Sequence, residues 1–132
     1  MYKPSAGIVV LRHLDGGWNV LCLKTHNNEY DLTKGIVDEG EDILSAAIRE
    51  TREEAGITDI YDGNSMFVGV TDQEPEILPN PYTGIKEHTG YAWIPIMEAV
   101  NSDKIKNFLR PAVMNAFNLI LEHDREQKGF TQ

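Results

Sequence analysis

The chain has 132 residues, 41% hydrophobic and 25% charged, enough for one domain with a proper core. Lys and Arg number 12 against 21 Asp and Glu, a formal net charge of −9 that disfavours polymeric nucleic acid and anionic membranes as partners. A single cysteine, Cys22, excludes an internal disulfide and points to a reducing compartment. No apolar run approaches membrane-spanning length and residues 1–17 lack a signal-peptide plan, so the expected location is the cytoplasm.

SAGIVVLRHL and WNVLCLKT are rich in β-branched and aliphatic residues and are separated by Asp15-Gly16-Gly17, which predicts an antiparallel hairpin. HNNEYDLTKG follows as a connecting segment into an acidic loop, KGIVDEGED. Gly35 and Gly40 flank that loop and allow backbone groups to approach a phosphate or a metal ion closely. The next run, Asp42–Ala55, contains no Pro or Gly and stops at Gly56, which predicts a helix. Its period places Leu44, Ala47, Ile48, Thr51 and Ala55 on one packing stripe and Glu50, Glu53 and Glu54 on another face. Three carboxylates at such spacing repel one another unless something offsets them. Clustered hard oxygen donors suit Mg²⁺, with Mn²⁺ as the alternative, and Arg49 is placed to orient a carboxylate through a bidentate ion pair.

Further along, SMFVGVTD and GYAWIPI read as strands, joined by the proline-bearing loop QEPEILPNPYTGIKEHT. Trp93 alternates with Tyr91 in the second strand, and Trp93 is assigned to the core. From Ser102 to His123, Ile105, Phe108, Val113, Phe117, Ile120 and Leu121 recur with helical period. Pro111 marks a break or the first turn of a second helix there, and the segment is expected to pack across the sheet. The final GFTQ is expected to fray.

A charged surface helix with a glycine cap is the plain reading of a lone Glu-Glu pair. The spacing over residues 35–57 changes that reading: Gly35, Glu41, Arg49, Glu50, Glu53, Glu54, Gly56 and Ile57 match Gly-x5-Glu-x7-Arg-Glu-U-x-Glu-Glu-x-Gly-U, where U is a bulky aliphatic residue. A chance match of the seven fixed positions is on the order of 10⁻⁶ per chain. The pattern resembles the box of the Nudix hydrolase family. One departure is Thr51, where the family prefers an aliphatic residue.

The resemblance implies an α/β fold, a Nudix α/β/α sandwich around a mixed sheet, as one domain over residues 1–132. It also implies a pyrophosphohydrolase that uses a divalent cation. Glu50, Glu53 and Glu54 are then the metal ligands, with Glu50, Arg49 and Glu87 the catalytic candidates. Glu87 stands ahead of YAWIPIMEA, which is similar to a late family segment whose glutamate reaches the metals or serves as base; the adjacent His88 is its substitute. Lys34-Gly35 resembles the subgroup acting on dinucleoside polyphosphates such as diadenosine tetraphosphate, although Thr33 stands where Pro is usual and Tyr30 where Trp is common. Lys34, Gly35, Lys24 and Tyr82 are the substrate-binding candidates. Tyr82 is preferred over Tyr30 and Tyr91 for stacking on a base. Nucleoside triphosphates, ADP-ribose or NADH are the alternative substrates, and a nucleotide sensor without catalysis is the rival from another class. The partner is a small nucleotide, and the chain is expected to be a monomer or homodimer.

Overall fold

The computed structural model describes residues 4–64 and 67–130, with side-chain surroundings for 4–60 and 67–126. Ser65 and Met66, the start of the strand expected at SMFVGVTD, and the last two residues of GFTQ lie outside the described residues.

Strand β1 (Ser5–Leu14) turns through Asp15 and Gly16, with φ of 53° and 80°, into β2 (Gly17–Lys24). Both turn residues are left-handed, as a two-residue turn matching strand twist requires. The register runs from Leu14 opposite Gly17 to Leu11 opposite Val20. The connecting segment holds two short strands, β3 (Tyr30–Asp31) and β4 (Thr33–Ile36). Helix α1 (Ile43–Ala55) carries the acids. Then come β5 (Tyr61–Asn64), also unforeseen, β6 (Val68–Val70), the long loop, β7 (Gly90–Pro95), α2 (Ile96–Asn101), a 3₁₀ turn (Asn107–Leu109) and α3 (Arg110–Phe130). Pro111 sits in the first turn of α3, where its missing N–H is no loss. Residues 102–106 are not helical, and Ile105 instead bridges to Tyr30.

β1 has three partners. Ser5–Ile8 pairs antiparallel with β4, Leu11–Leu14 with β2, and Val9–Leu11 runs parallel to β6. β2 in turn pairs antiparallel with β7, from Asn19 opposite Pro95 to Lys24 opposite Gly90. The result is a mixed sheet covered on both faces. Alternation along β1 and β2 sends Ile8, Val10, Leu21 and Leu23 to the face under α1, and Val9, Leu11, Val20 and Cys22 to the face under α2 and α3. Val113, Ala116 and Ile120 of α3 complete the second layer, so the helical tail packs across the sheet as expected. The α/β/α sandwich is the observed fold.

Two packing expectations need correction. On α1 the buried stripe is Ala46, Ala47, Thr51, Glu54 and Ala55, while Leu44 and Ile48 are about half exposed. Small alanines let the helix lie close on β1 and β4, and polar contacts described below rotate it toward Glu54. Tyr91 and Trp93, two residues apart on one strand, share a face and do not oppose one another; both are half-buried against the α1-side cluster.

Candidate active site

Helix α1 is fixed at both ends by local chemistry. Asp42 Oδ1 accepts the Ser45 N–H at 2.9 Å, and Gly56, at φ 66°, donates its N–H to the Arg52 carbonyl. Between these caps the box side chains fall into two groups. The first gathers on Arg49. Its Nε and Nη2 donate to the two oxygens of Glu41 at 2.8 and 3.0 Å, Nη1 to Glu50 at 3.0 Å and Glu53 at 3.1 Å, and Nη2 also to the Ile36 carbonyl at 2.9 Å. The bidentate partner is therefore Glu41, whose other contact, from the Asp38 N–H at 3.0 Å, closes the acidic loop. The Glu41 hydrogen bond, more than any other contact, raises the Arg49 guanidinium above its ordinary pKa, so it is a permanent charge.

The second group surrounds Glu54, only 9% exposed. Its Oε1 accepts the Lys34 N–H of β4 at 2.8 Å, and His88 Nδ1 lies 4.0 Å from Oε2. Burial pushes the Glu54 carboxyl up to about 8; the Lys34 N–H opposes this, while Glu50, Glu87 and Asp31 add to it. Burial likewise raises Glu50, with Arg49 pulling the other way. Glu50 lies against the backbone at Gly35, where a Cβ would overlap its carboxyl group and displace it, so glycine is what lets Glu50 lie there.

Arg49, Glu50, Glu53 and Glu54 line a cleft of about 650 Å³ together with Lys34, Gly35, Asn80, Tyr82, Glu87, His88 and Lys106. The proline-bearing loop thus reaches the box. Tyr82 is 82% exposed at its edge, and Glu87 accepts the Asn80 side-chain N–H at 3.3 Å. Lys24 and Tyr30 do not line this cleft; both border a separate groove with Asn28, Thr89 and Lys104. An apolar pocket of about 430 Å³, walled by Ile8, Val9, Leu32, Phe67, Phe108 and Leu109, with Asn115 at its side, shares Lys34 with the lining of the cleft.

Sequence reasoning passed over Asp31, Asn80 and Lys106, and weighed His88 only as a substitute. Asp31 is 5% exposed and ties His88 Nε2, Lys34 Nζ and Lys106 Nζ together at 3.3, 3.5 and 3.5 Å. Nothing in a strand of two residues signals a buried carboxylate.

The family model of the NUDIX domain matches residues 1–116. The chain belongs to the Nudix family. Among curated relatives, the RNA pyrophosphohydrolase of Rhizobium meliloti is 39% identical over 91 residues, covering 64% of this chain and 52% of the relative. The Bis(5'-nucleosyl)-tetraphosphatase [asymmetrical] of Caenorhabditis elegans is 47% identical over 60 residues, 44% of either chain. The chain spans about half the length of these curated relatives. Among solved structures, a C. elegans Ap4A hydrolase in a binary complex has a TM-score of 0.65 at 23% identity, covering 92% of this chain and 99% of that one, a likeness of fold.

Nudix hydrolases generally use divalent metal ions. Among the described residues no three His, Cys, Asp or Glu side chains are already gathered as a cation cage. The donor chemistry of the box nevertheless fits a hard divalent cation. Glu50, Glu53 and Glu54 offer carboxylate oxygens on one cleft wall, and Glu54, raised first by burial and then by Glu50, Glu87 and Asp31, is a carboxyl that a cation beside it would ionise. Among the described residues no helix is long and apolar enough to cross a membrane.

Proposed function

We propose that this Nudix chain is a divalent-cation-dependent pyrophosphohydrolase of nucleotides, with dinucleoside polyphosphates as the leading substrate class. The observation that carries the reading is the pairing in one cleft of the Arg49-ordered glutamates with Lys34 and Lys106. Glu53 and Glu54 would be the principal ligands of Mg²⁺, or Mn²⁺ in its place, with Glu50 a further ligand or base. When bound, the cation supplies neutralisation of the diphosphate oxygens and makes the attacking water more acidic. A new bond forms from water oxygen to phosphorus, the anhydride P–O bond breaks, and the water proton passes to a carboxylate, Glu50 or Glu87. Arg49 orients the carboxylates, and Gly35 gives Glu50 room to lie beside β4. Lys34 neutralises a phosphate, and Tyr82 stacks on a base at the cleft edge. The apolar pocket that shares Lys34 with the cleft supports a substrate with a polyanionic middle and an aromatic end. The buried free thiol of Cys22 fits a cytoplasmic, reducing location.

The Rhizobium relative favours a second reading, a pyrophosphohydrolase acting on RNA. The net charge of −9 weighs against it, because a polymer backbone meets repulsion beyond the cleft. A panel of diadenosine tetraphosphate, nucleoside triphosphates, ADP-ribose, NADH and 5′-triphosphorylated RNA, assayed with Mg²⁺ or Mn²⁺, separates the readings. The expected result is turnover fastest on diadenosine tetraphosphate, abolished by EDTA and reduced at least about a hundredfold in Glu54→Gln. Full turnover in EDTA, or an unimpaired Glu54→Gln, would overturn the assignment; tight nucleotide binding without turnover would leave a sensor.

A further inference from the structure

Asp31 is a carboxylate with almost no access to water, which is costly unless cations and donors surround it. Its Oδ1 accepts the Leu32 N–H at 2.9 Å, and its Oδ2 faces His88, Lys34 and Lys106. Burial pushes the carboxyl up, but the His88 hydrogen bond and then the two lysines bring it below its ordinary value, so it is ionised at neutral pH. One negative charge thus stands against two ammonium groups. Among the described residues neither lysine has another ion-pair partner, and a positive charge is left over.

That surplus points into the cleft. The Lys34 and Lys106 side chains are 28% and 29% exposed, and both residues line the cleft. Each ammonium is 3.5 Å from the same Asp31 oxygen, so the two are no more than twice that distance apart. Lys34 also sets their position relative to the acids, because its backbone N–H holds Glu54 while its side chain reaches Asp31. Two ammonium groups held by a single carboxylate keep N–H donors free for a second anion, and compact ammonium groups match phosphoryl oxygens.

We infer that Lys106, with Lys34, forms a second phosphate subsite that binds the phosphoryl groups of a polyphosphate chain lying beyond the anhydride being cleaved, with Asp31 as the positioning residue that holds the pair. This rests on the hydrolase reading and refines it, since a substrate with only two phosphates makes less use of the subsite than one with four. Lys106 reaches the cleft from the segment after α2, and its backbone is pinned by Lys106 N–H to the Tyr30 carbonyl at 3.3 Å and by the Leu109 N–H to its own carbonyl at 2.9 Å. Side-chain changes there leave those bonds in place.

The test compares Lys106→Gln and Lys106→Arg with the parent in two measurements. Calorimetric titration of inorganic tripolyphosphate in EDTA should show about tenfold weaker binding for Lys106→Gln, the loss expected for one charge-assisted contact, with affinity largely restored in Lys106→Arg. Steady-state kinetics should show the KM for diadenosine tetraphosphate rising more in Lys106→Gln than the KM for ADP-ribose. Asp31→Asn should also raise the tetraphosphate KM with the loss in KM and not in kcat; a merely structural role would lower the melting temperature and leave that KM alone. Parent-like tripolyphosphate affinity in Lys106→Gln, or equal effects on both substrates, would overturn the subsite. A parent that hydrolyses nothing in the panel would sink the hydrolase reading instead, and the tripolyphosphate comparison would still decide the subsite.

Discussion

Gly35 and Glu50 show how much of the cleft depends on single atoms. A methyl group at residue 35 would occupy the space of the Glu50 carboxyl, so Gly35→Ala should push Glu50 off β4 and lower kcat while circular dichroism stays that of the parent. Arg49 is bound to three glutamates and a carbonyl through a planar fork that lysine cannot reproduce. Arg49→Lys should therefore reduce kcat with little change in KM; a large KM rise at constant kcat would place Arg49 on the substrate. Glu54 gives a pH signature. Its carboxyl sits near 8 in the folded protein against an ordinary 4.5, so the protonated form favours folding. That contribution is complete below about pH 4.5 and is lost as pH rises through about 8. In EDTA, the melting temperature should fall between pH 6 and pH 9, and Glu54→Gln should flatten the fall in calorimetric scans.

At the scale of elements, two of the three departures, Thr51 from the family box and Thr33 from the subgroup, turn out to be one feature. Thr33 of β4 and Thr51 of α1 are both buried, and their hydroxyls lie 2.9 Å apart. Thr51 Oγ1 also lies 2.8 Å from the Ala47 carbonyl and Thr33 Oγ1 3.1 Å from the Ile8 carbonyl, so a short hydroxyl chain joins helix, β4 and β1. Thr33→Val and Thr51→Val should each cost about 1 kcal/mol, and the double variant less than their sum, measured as denaturant midpoints in a double-mutant cycle. Additive losses would mean that the hydroxyls act independently. This contact also explains what was legible. The end of the helix was readable because Gly56 is a local signal, and the hairpin because Asp15-Gly16 is one. The face of α1 was misread, since Leu44 and Ile48 are apolar by type while the inward turn of the helix is set by Thr33 and Lys34, residues from another element. The grouping of the acids around Arg49 was legible from spacing; the Asp31–Lys106 pair was not, because a contact between β3 and the segment after α2 leaves no periodic trace. β3, β4 and β5 are too short for a two-residue period to register.

For the molecule as a whole, the sheet makes the cysteine inert. Cys22 is fully buried on β2, and burial, followed by Glu98, raises its thiol to about 12. A thiol reagent should leave the native protein unmodified and label Cys22 only as denaturant unfolds it. The three partners of β1 have a consequence for how the chain is made. Among the described strands β1 leaves the ribosome first, yet Val9 must wait for Val68 before its parallel pairing exists, and β2 waits longer for β7. The early hairpin is thus exposed with unpaired edges and apolar faces on both sides until β6 and β7 are made. Closure of such distant pairs is slow compared with helix formation. Substituting Val10→Ala at the centre of β1 should therefore slow refolding in stopped-flow measurements more than it speeds unfolding, making this strand the pacemaker of assembly.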